Sequence, residues 1–556
     1  MKDTHTNNDY KWFEIVSWLW RVSRGNRLQA VLNAVLGLLG VAVSLGSVWA
    51  VQRAIDIAAG SRSGDLYMAV SVMAGLILCD FAVNIGRVWI KNILGVRAQN
   101  RMQRKMLDGL IRAEWSGRER FHSGDVINRL EQDVGAVVVF VTETIPNAIS
   151  VLAMFAGAFV YLMRMDTVLA FITVGILPVF ILASRVYMSR MRRYTRSVRA
   201  CDSRVQSILQ ESVQHRMLVK TLECGGEMLG RLDDGHAELR SHVRKRTVFS
   251  VYSNFVLNAG FSLGYIIAFL WSAVRLYHHT LTFGAMTAFL QLVYRIQGPA
   301  RDMTKLAPAF VSVFTAAERL LELEDIPHEV QGSGVMLGGS CGVRLIGVSY
   351  IYGGSARRVI DNFSFDFKPG SCTAILGETG AGKTTLIRMM LALISPGEGL
   401  AQIYDTAGNV HELSPLTRCN FVYVPQGNTL LSGTIRDNLL LGRPTATDDE
   451  MNAVLRQACA DFVFDLPDGL DTVAAEAGGG LSEGQAQRIA IARALLRDRS
   501  VLLFDEATSA LDPETERRLL TNILSGSDKT VIFITHRQAV VDYCDSVLTV
   551  EENRCD

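Results

Sequence analysis

Six stretches of this 556-residue chain, at about 28–50, 66–90, 137–162, 167–188, 248–276 and 283–310, are apolar and long enough to cross a hydrocarbon layer roughly 30 Å thick. Backbone N–H and C=O groups find no water inside such a layer, so each stretch must close its hydrogen bonds internally, as helix. The spacing says more than the number. Short links join the first to the second, the third to the fourth and the fifth to the sixth, whereas about 45 residues separate the second from the third and about 60 the fourth from the fifth. Both long intervals are basic, with Lys91, Arg97, Arg101, Arg104 and Lys105 in one and Arg190, Arg192, Arg193, Arg244, Lys245 and Arg246 in the other. The positive-inside bias puts them, and both termini, in the cytoplasm. Their helical patterning predicts membrane helices that continue tens of ångströms beyond the layer, at about 1.5 Å per residue.

The apolar excess ends near residue 315, although the chain as a whole is 49% hydrophobic with a formal charge of only +1. Beyond that point the composition is that of an ordinary soluble domain, so the boundary is a change of solvent. Nine scattered cysteines without a CxxC pair fit a reducing compartment better than a disulfide framework or a zinc site. No cleavable signal is visible. Trp12, Phe13, Ile15, Val16, Trp18, Leu19 and Trp20 instead form an amphipathic stretch, read as a helix at the membrane interface or packed on the bundle.

The soluble half opens on phosphate chemistry. In Gly377-Glu378-Thr379-Gly380-Ala381-Gly382-Lys383-Thr384, glycines before a helix aim backbone N–H groups at phosphates. Lys383 is placed to reach the β- and γ-phosphates, and Thr384 to reach magnesium. Val501 to Phe504 read as a buried parallel strand that carries Asp505 and Glu506 at its C-terminal end, where α/β sheets place ligands. Ile532-Phe533-Ile534-Thr535-His536 repeats that pattern, and Phe421-Val422-Tyr423-Val424-Pro425-Gln426 is a third buried strand, ending in a glutamine.

Six spans with two long cytosolic extensions and one ATPase domain resemble a half-transporter of the ATP-binding cassette exporter superfamily, across nearly the whole chain. Ser123-Gly124-Asp125-Val126-Ile127-Asn128-Arg129-Leu130 with Asp133-Val134, and Glu211 through Lys220, resemble the segments at the family's two cytosolic turns. Leu481-Ser482-Glu483-Gly484-Gln485 resembles its signature stretch. The fold expected is an all-α six-helix transmembrane bundle with long cytosolic extensions, plus an α/β P-loop ATPase domain with a helical subdomain. The boundaries expected are an interfacial elbow helix over 1–25, a membrane domain over 26–326, a linker over 327–342 and the ATPase over 343–556.

The resemblance also implies roles. ATP would be bound by Tyr352, stacking on adenine, by Gly377, Glu378, Thr379, Gly380, Ala381, Gly382, Lys383, Thr384 and Thr385, and by Ser482, Gly484 and Gln485 acting from a second subunit. Thr384, Gln426 and Asp505 would hold Mg2+. Glu506 would be the general base, with His536 and Gln426 completing the catalytic set, and Ser509, Ala510, Leu511 and Asp512 would form the D-loop. Two departures stand out: Glu483 where glycine is commonest, and Ala474-Ala475-Glu476-Ala477-Gly478, which keeps Glu476 but lacks the usual preceding glycine.

Polar residues at membrane depth are costly and face a cavity or a partner. Asp80, Asn84, Arg87, Glu143, Gln291 and Arg295 are therefore candidates for a substrate cavity, or for interhelical pairs such as Asp80 with Arg295. The reading is an ATP-hydrolysing exporter or flippase of a hydrophobic or amphipathic lipid, drug or peptide, working by alternating access. An ATP-gated regulatory or channel-like protein, or an importer of exporter-like architecture, are the alternatives. The expected partners are the bilayer, the substrate and a second copy, or a different half-transporter in its place, with no nucleic acid. The expected location is a bacterial inner membrane.

Overall fold

The computed structural model describes residues 11–115, 123–353, 357–378, 380–474, 480–525 and 528–551, without the side chains of 123, 169, 172–189, 192, 257, 261 and 297–308. Two compact units emerge: Met1–Asp108 with Gly124–Glu324, and Gly109–Ser123 with Asp325–Asp556.

Among its described residues the first unit has helices and no strand. Its elements are α1 (Trp12–Val22), α2 (Arg27–Ala58), α3 (Leu66–Ile111), α4 (Ser123–Asn128), α5 (Val134–Val139), α6 (Ile145–Met165), α7 (Thr167–Gln214), α8 (Arg216–Thr221), α9 (Gly225–Tyr277) and α10 (Phe283–Glu324). α9 has 53 residues. At 1.5 Å per residue that is roughly 80 Å, more than twice the hydrocarbon thickness, so the helix must run far past the membrane. Four described stretches, Trp12–Ala58, Leu66–Ile111, Gly124–Met165 and Gly225–Tyr277, are long and apolar enough to span it. The expected spans 167–188 and 283–310 fall in α7 and α10, where many side chains lie outside the described set and the described apolar run of α10 is Phe283–Ile296. The short helix α8 overlaps the end of the expected 211–220 segment.

Small residues bring α2 and α6 together: a Cβ at Gly37 would collide with Ser150 Oγ, and one at Gly157 with Leu45. Leu162 of α6 and Phe289 and Leu292 of α10 are fully buried nearby. Pro146 shapes the rod from α4 to α6. Lacking an N–H, it cannot bond Thr142 O four residues back, and a π-helical turn, Phe140–Thr144, precedes it. The orphaned carbonyl is taken by Asn33 Nδ2 of α2 at 2.8 Å.

α1 is amphipathic in fact: Ile15, Trp18 and Leu19 are buried, while Trp12, Phe13 and Trp20 are exposed. Trp18 Nε1 donates to Glu324 of α10. The Asp125/Arg129 motif closes a network, in which Arg129 pairs with Asp125 and Glu322 at 2.8 Å each and Arg319 pairs with Asp125 at 2.7 Å.

Among its described residues the second unit has three sheets. One is antiparallel, ordered β2 (Ile360–Phe367), β1 (Cys341–Tyr350), β4 (Glu398–Asp405), β5 (Val410–Glu412). The central sheet is parallel, ordered β11 (Ser546–Thr549), β3 (Cys372–Leu376), β10 (Thr530–Ile534), β9 (Val501–Asp505), β6 (Phe421–Val424), and β7 (Gly433–Thr434) pairs with β8 (Val473–Ala474). Six helices accompany them: α11 (Lys383–Met390), α12 (Ile435–Leu440), α13 (Asp448–Gln457), α14 (Glu483–Arg497), α15 (Pro513–Leu524) and α16 (Gln538–Val541). β3, β10 and β9 are buried almost from end to end, as a sheet covered on both faces requires.

The segment around 109–115 falls in this unit, although the sequence suggests the membrane half. Glu114 N bonds Pro327 O at 2.7 Å, Glu329 N bonds Arg112 O at 2.8 Å, and the Arg388 guanidinium lies 4.6 Å from the Trp115 ring centre. These backbone bonds bind the loop to residues more than two hundred positions away.

Asp166, between α6 and α7, is a buried hub. It accepts from Val168 N at 2.9 Å and Trp271 Nε1 at 3.3 Å, and pairs with Arg275 at 2.7 Å. Asp166→Ala strands those donors and should cost about 2–3 kcal/mol. A clear fall in the melting temperature of the purified protein in detergent is expected; an unchanged melt would refute the role.

Candidate functional site

The loop from Gly377 to Gly382 joins β3 to α11. Gly377 has φ +147° and Gly382 φ +101°. A Cβ at Gly377 would collide with Val550 O, so only glycine lets the chain turn there. Lys383 opens α11 and is buried, its Nζ donating to Gly377 O at 2.5 Å and Glu378 O at 3.0 Å, 3.4 Å from His536 Nε2. Thr384 is exposed beside it, and the buried Thr385 hydroxyl lies 3.1 Å from Tyr352 Oη. Arg388 also donates to Tyr352 Oη at 3.1 Å, holding that ring against α11.

Parallel pairing brings the ends of β6, β9 and β10 to one edge, with Ile534 opposite Asp505 and Val424 opposite Phe504. Asp505 is buried, and burial pushes its carboxyl above the usual range, while the Tyr423 hydroxyl, donating at 3.1 Å, holds it back. Such a carboxylate gains from a nearby cation.

Glu506 sits at φ +49°, a left-handed conformation that costs a non-glycine residue about 1–3 kcal/mol. Its own N–H donates to Ile534 O at 3.0 Å. One carboxylate oxygen accepts from Gln426 Nε2 at 2.7 Å; the other is 3.5 Å from His536 Nε2. The imidazole thus lies between the Lys383 ammonium and the Glu506 carboxylate.

A second group forms where α14 begins. Ser482 caps the helix, accepting from Gln485 N at 3.2 Å while Gln485 Oε1 takes Ser482 N at 2.8 Å. Glu483 is exposed in the first turn, where the helix dipole favours an anion. Gly484 is pressed against the D-loop: a Cβ there would lie 2.7 Å from Ala510 O. Two residues that sequence patterns do not single out hold that loop. Buried Gln487 bonds Ser509 Oγ and Ala510 N, each at 3.2 Å. Arg537 donates to Ser509 O at 2.6 Å and Leu511 O at 2.9 Å and pairs with Glu516 at 3.0 Å. Asp512 caps α15 through Thr515 N.

The structure therefore gathers Lys383, Gln426, Asp505, Glu506 and His536 into one cluster. Ser482 bonds only within its own helix turn among the described residues. Thr379 and Glu476 lie outside the described residues. Tyr423, Arg388, Gln487 and Arg537 carry no motif of their own; Arg537's place directly after His536 was the one available signal.

Two family models match in tandem: the ABC transporter transmembrane region over residues 31–299 and the ABC transporter over 360–509. The chain belongs to the ABC transporter family. As a family member it is an integral membrane protein whose ATP-binding domain makes it an ATPase coupled to transport. The transporter is 28% identical to an ATP-dependent lipid A-core flippase of Bordetella avium over 95% of this chain and 91% of that protein. A flippase of the same description from Pseudomonas fluorescens is 29% identical over 78% and 73%. Among solved structures, a bacterial Atm1-family ABC exporter with ATP bound superimposes with a TM-score of 0.78, covering 95% of each chain at 22% identity, which establishes the shared fold.

The transporter's helical unit contains a cavity of about 760 Å³. Asp80, Asn84 and Arg87 of α3 line it, joined by Ser44, Asn147 and Ser150. Arg87 donates to Asn147 Oδ1 at 2.7 Å. Glu143, Gln291 and Arg295 are not among the lining residues: Glu143 pairs with Lys91 at 2.7 Å and Arg295 donates to Ser47 at 3.1 Å. No ion pair joins Asp80 to Arg295 among the described residues.

Gly484→Ala should displace Ala510 and lower ATP turnover about tenfold or more while leaving nucleotide binding at Lys383 intact. Phosphate release read beside the binding of a fluorescent ATP analogue checks this; equal losses in both would refute it.

Proposed function

We propose that this protein is an ATP-driven exporter or flippase of amphipathic, lipid-like molecules, working as a homodimer by alternating access in a bacterial inner membrane with its ATPase domain in the cytoplasm. The observation that carries the proposal is the Lys383, Gln426, Glu506 and His536 cluster, attached in one chain to a bundle whose cavity mixes apolar walls with Asp80, Asn84 and Arg87. The flippases to which the chain is similar support lipid as the cargo class.

In this reading the glycine loop and Lys383 bind the phosphates. Thr384, Gln426 and Asp505 would hold Mg2+, which would neutralise charge developing on the β- and γ-phosphates, and the buried, high-pKa Asp505 suits that cation. Glu506 orients the attacking water and accepts its proton as the bond from γ-phosphorus to the ADP oxygen breaks. Gln426 donates to one of its oxygens, which orients the carboxylate before the water arrives, while His536 Nε2 lies 3.5 Å from the other. Ser482, Gly484 and Gln485 would present the start of α14 to ATP held by the other copy, with the helix dipole aimed at the γ-phosphate. Rejoining and parting of the two ATPase domains would then move the helical units between their inward- and outward-facing states.

A retained base argues for hydrolysis over gating by binding alone. Glu506→Gln keeps the bond to Gln426 geometrically but cannot take the proton. It should retain ATP with turnover reduced about a hundredfold or more, and unchanged phosphate release would defeat the assignment. In the cavity, Arg87→Ala should slow ATP-dependent movement of a fluorescent anionic lipid across proteoliposomes several-fold while ATPase activity without lipid persists. Mass measurement of the same preparation should show two identical chains.

A further inference from the structure

α7 and α9 lie side by side and antiparallel beyond their apolar parts. Tyr194 meets Phe249 at 5.5 Å between ring centres, and a Cβ at Gly235 would touch Val205 and Ile208. Between those two contacts sit Cys201 on α7 and Glu238 and His242 on α9. Glu238 and His242 are four residues apart, one helix turn, so both face α7. The Cys201 sulfur, a Glu238 oxygen and a His242 nitrogen all lie within 4.8 Å of one another. Cys201 is buried, His242 half-buried and Glu238 exposed, which leaves one open side. Counting from residue 188, Cys201 is about 20 Å past the apolar part of α7, in a region reached by water.

A thiol alone in a helix interface behaves as a small hydrophobe and asks for neither an imidazole nor a carboxylate. We infer that Cys201, Glu238 and His242 form a binding site for a divalent transition metal of the zinc class, which joins α7 to α9. Sulfur, nitrogen and oxygen ligands with one position open to water suit Zn2+, whereas Mg2+ and Ca2+ take oxygen. Ordinary Zn–S, Zn–N and Zn–O bonds at tetrahedral angles place ligand atoms about 3.3–3.8 Å apart, so side-chain shifts of about 1 Å close the site. Arg204, three residues along α7 from Cys201, pairs with Glu238 Oε2 at 2.8 Å, holding the carboxylate from outside as supporting residues of metal sites do. Metal binding replaces the Cys201 thiol proton, which leaves to solvent. No part of the ATP site takes part, so the site stands or falls independently of the transport reading.

The full-length protein in detergent, stripped with a chelator, would be titrated with cobalt chloride and then zinc sulfate. One cobalt per chain is expected, with a near-ultraviolet thiolate-to-cobalt band that zinc abolishes. Cys201→Ser should lose the band, and His242→Ala and Glu238→Gln should each weaken cobalt binding about tenfold or more. Magnesium-dependent ATP turnover in the stripped protein should stay near wild type in all three, which certifies folding. X-ray absorption of the zinc-loaded wild type supplies a readout free of substitutions, with one sulfur and lighter ligands expected. A wild type without the band, a band that survives Cys201→Ser, or a zinc shell without sulfur would overturn the site.

Discussion

Everything in the helical unit stems from the cost of an unbonded backbone group in hydrocarbon, several kcal/mol each. That cost forbids loops in the layer and leaves long rods, of which α9 is the longest at 53 residues. It also decides what happens where a rod is interrupted. Pro146 removes one donor, and the freed Thr142 carbonyl is met by Asn33 from the neighbouring helix. Just beyond that proline, the same rod presents Asn147 and then Ser150 to the polar cavity. A local break in the ladder and a polar site are thus near neighbours on one helix.

The α/β unit uses a different constraint. Parallel strands buried on both faces can place polar side chains only at their ends, and in-register pairing of β6, β9 and β10 makes those ends coincide. Glu506 bears the strain of a left-handed backbone there, offset by its bonds to Ile534 O and Gln426. The adjoining D-loop is gripped from two directions, by Gln487 of α14 and Arg537 beyond β10. α14 is therefore tied by hydrogen bonds to the loop that follows β9.

Much of this was legible in the order of residues. The six apolar stretches and the phosphate loop with its paired acids downstream are local patterns, readable because each depends on neighbours along the chain. Glu483 shows the limit of that reading. In the sequence it stands only as a departure from a motif, whereas in place it is an exposed first-turn residue of a helix whose dipole favours negative charge. Tyr423, Arg388, Gln487 and Arg537 were not legible, because their partners lie many positions away and no spacing rule announces them.

The candidate cavity divides the same way. Six polar residues qualified by depth in the apolar stretches, and only Asp80, Asn84 and Arg87 line one space, since lining depends on which helix faces which. Glu238 and His242 share one face of α9 by their four-residue spacing, but Cys201 joins them only because α7 and α9 run antiparallel. The sequence by itself determined the class of each half, helical rods in lipid and a phosphate-binding α/β sheet, because solvent and backbone hydrogen bonding act residue by residue. Tertiary structure alone decided which side chains share a site, because packing brings together groups that the chain keeps far apart.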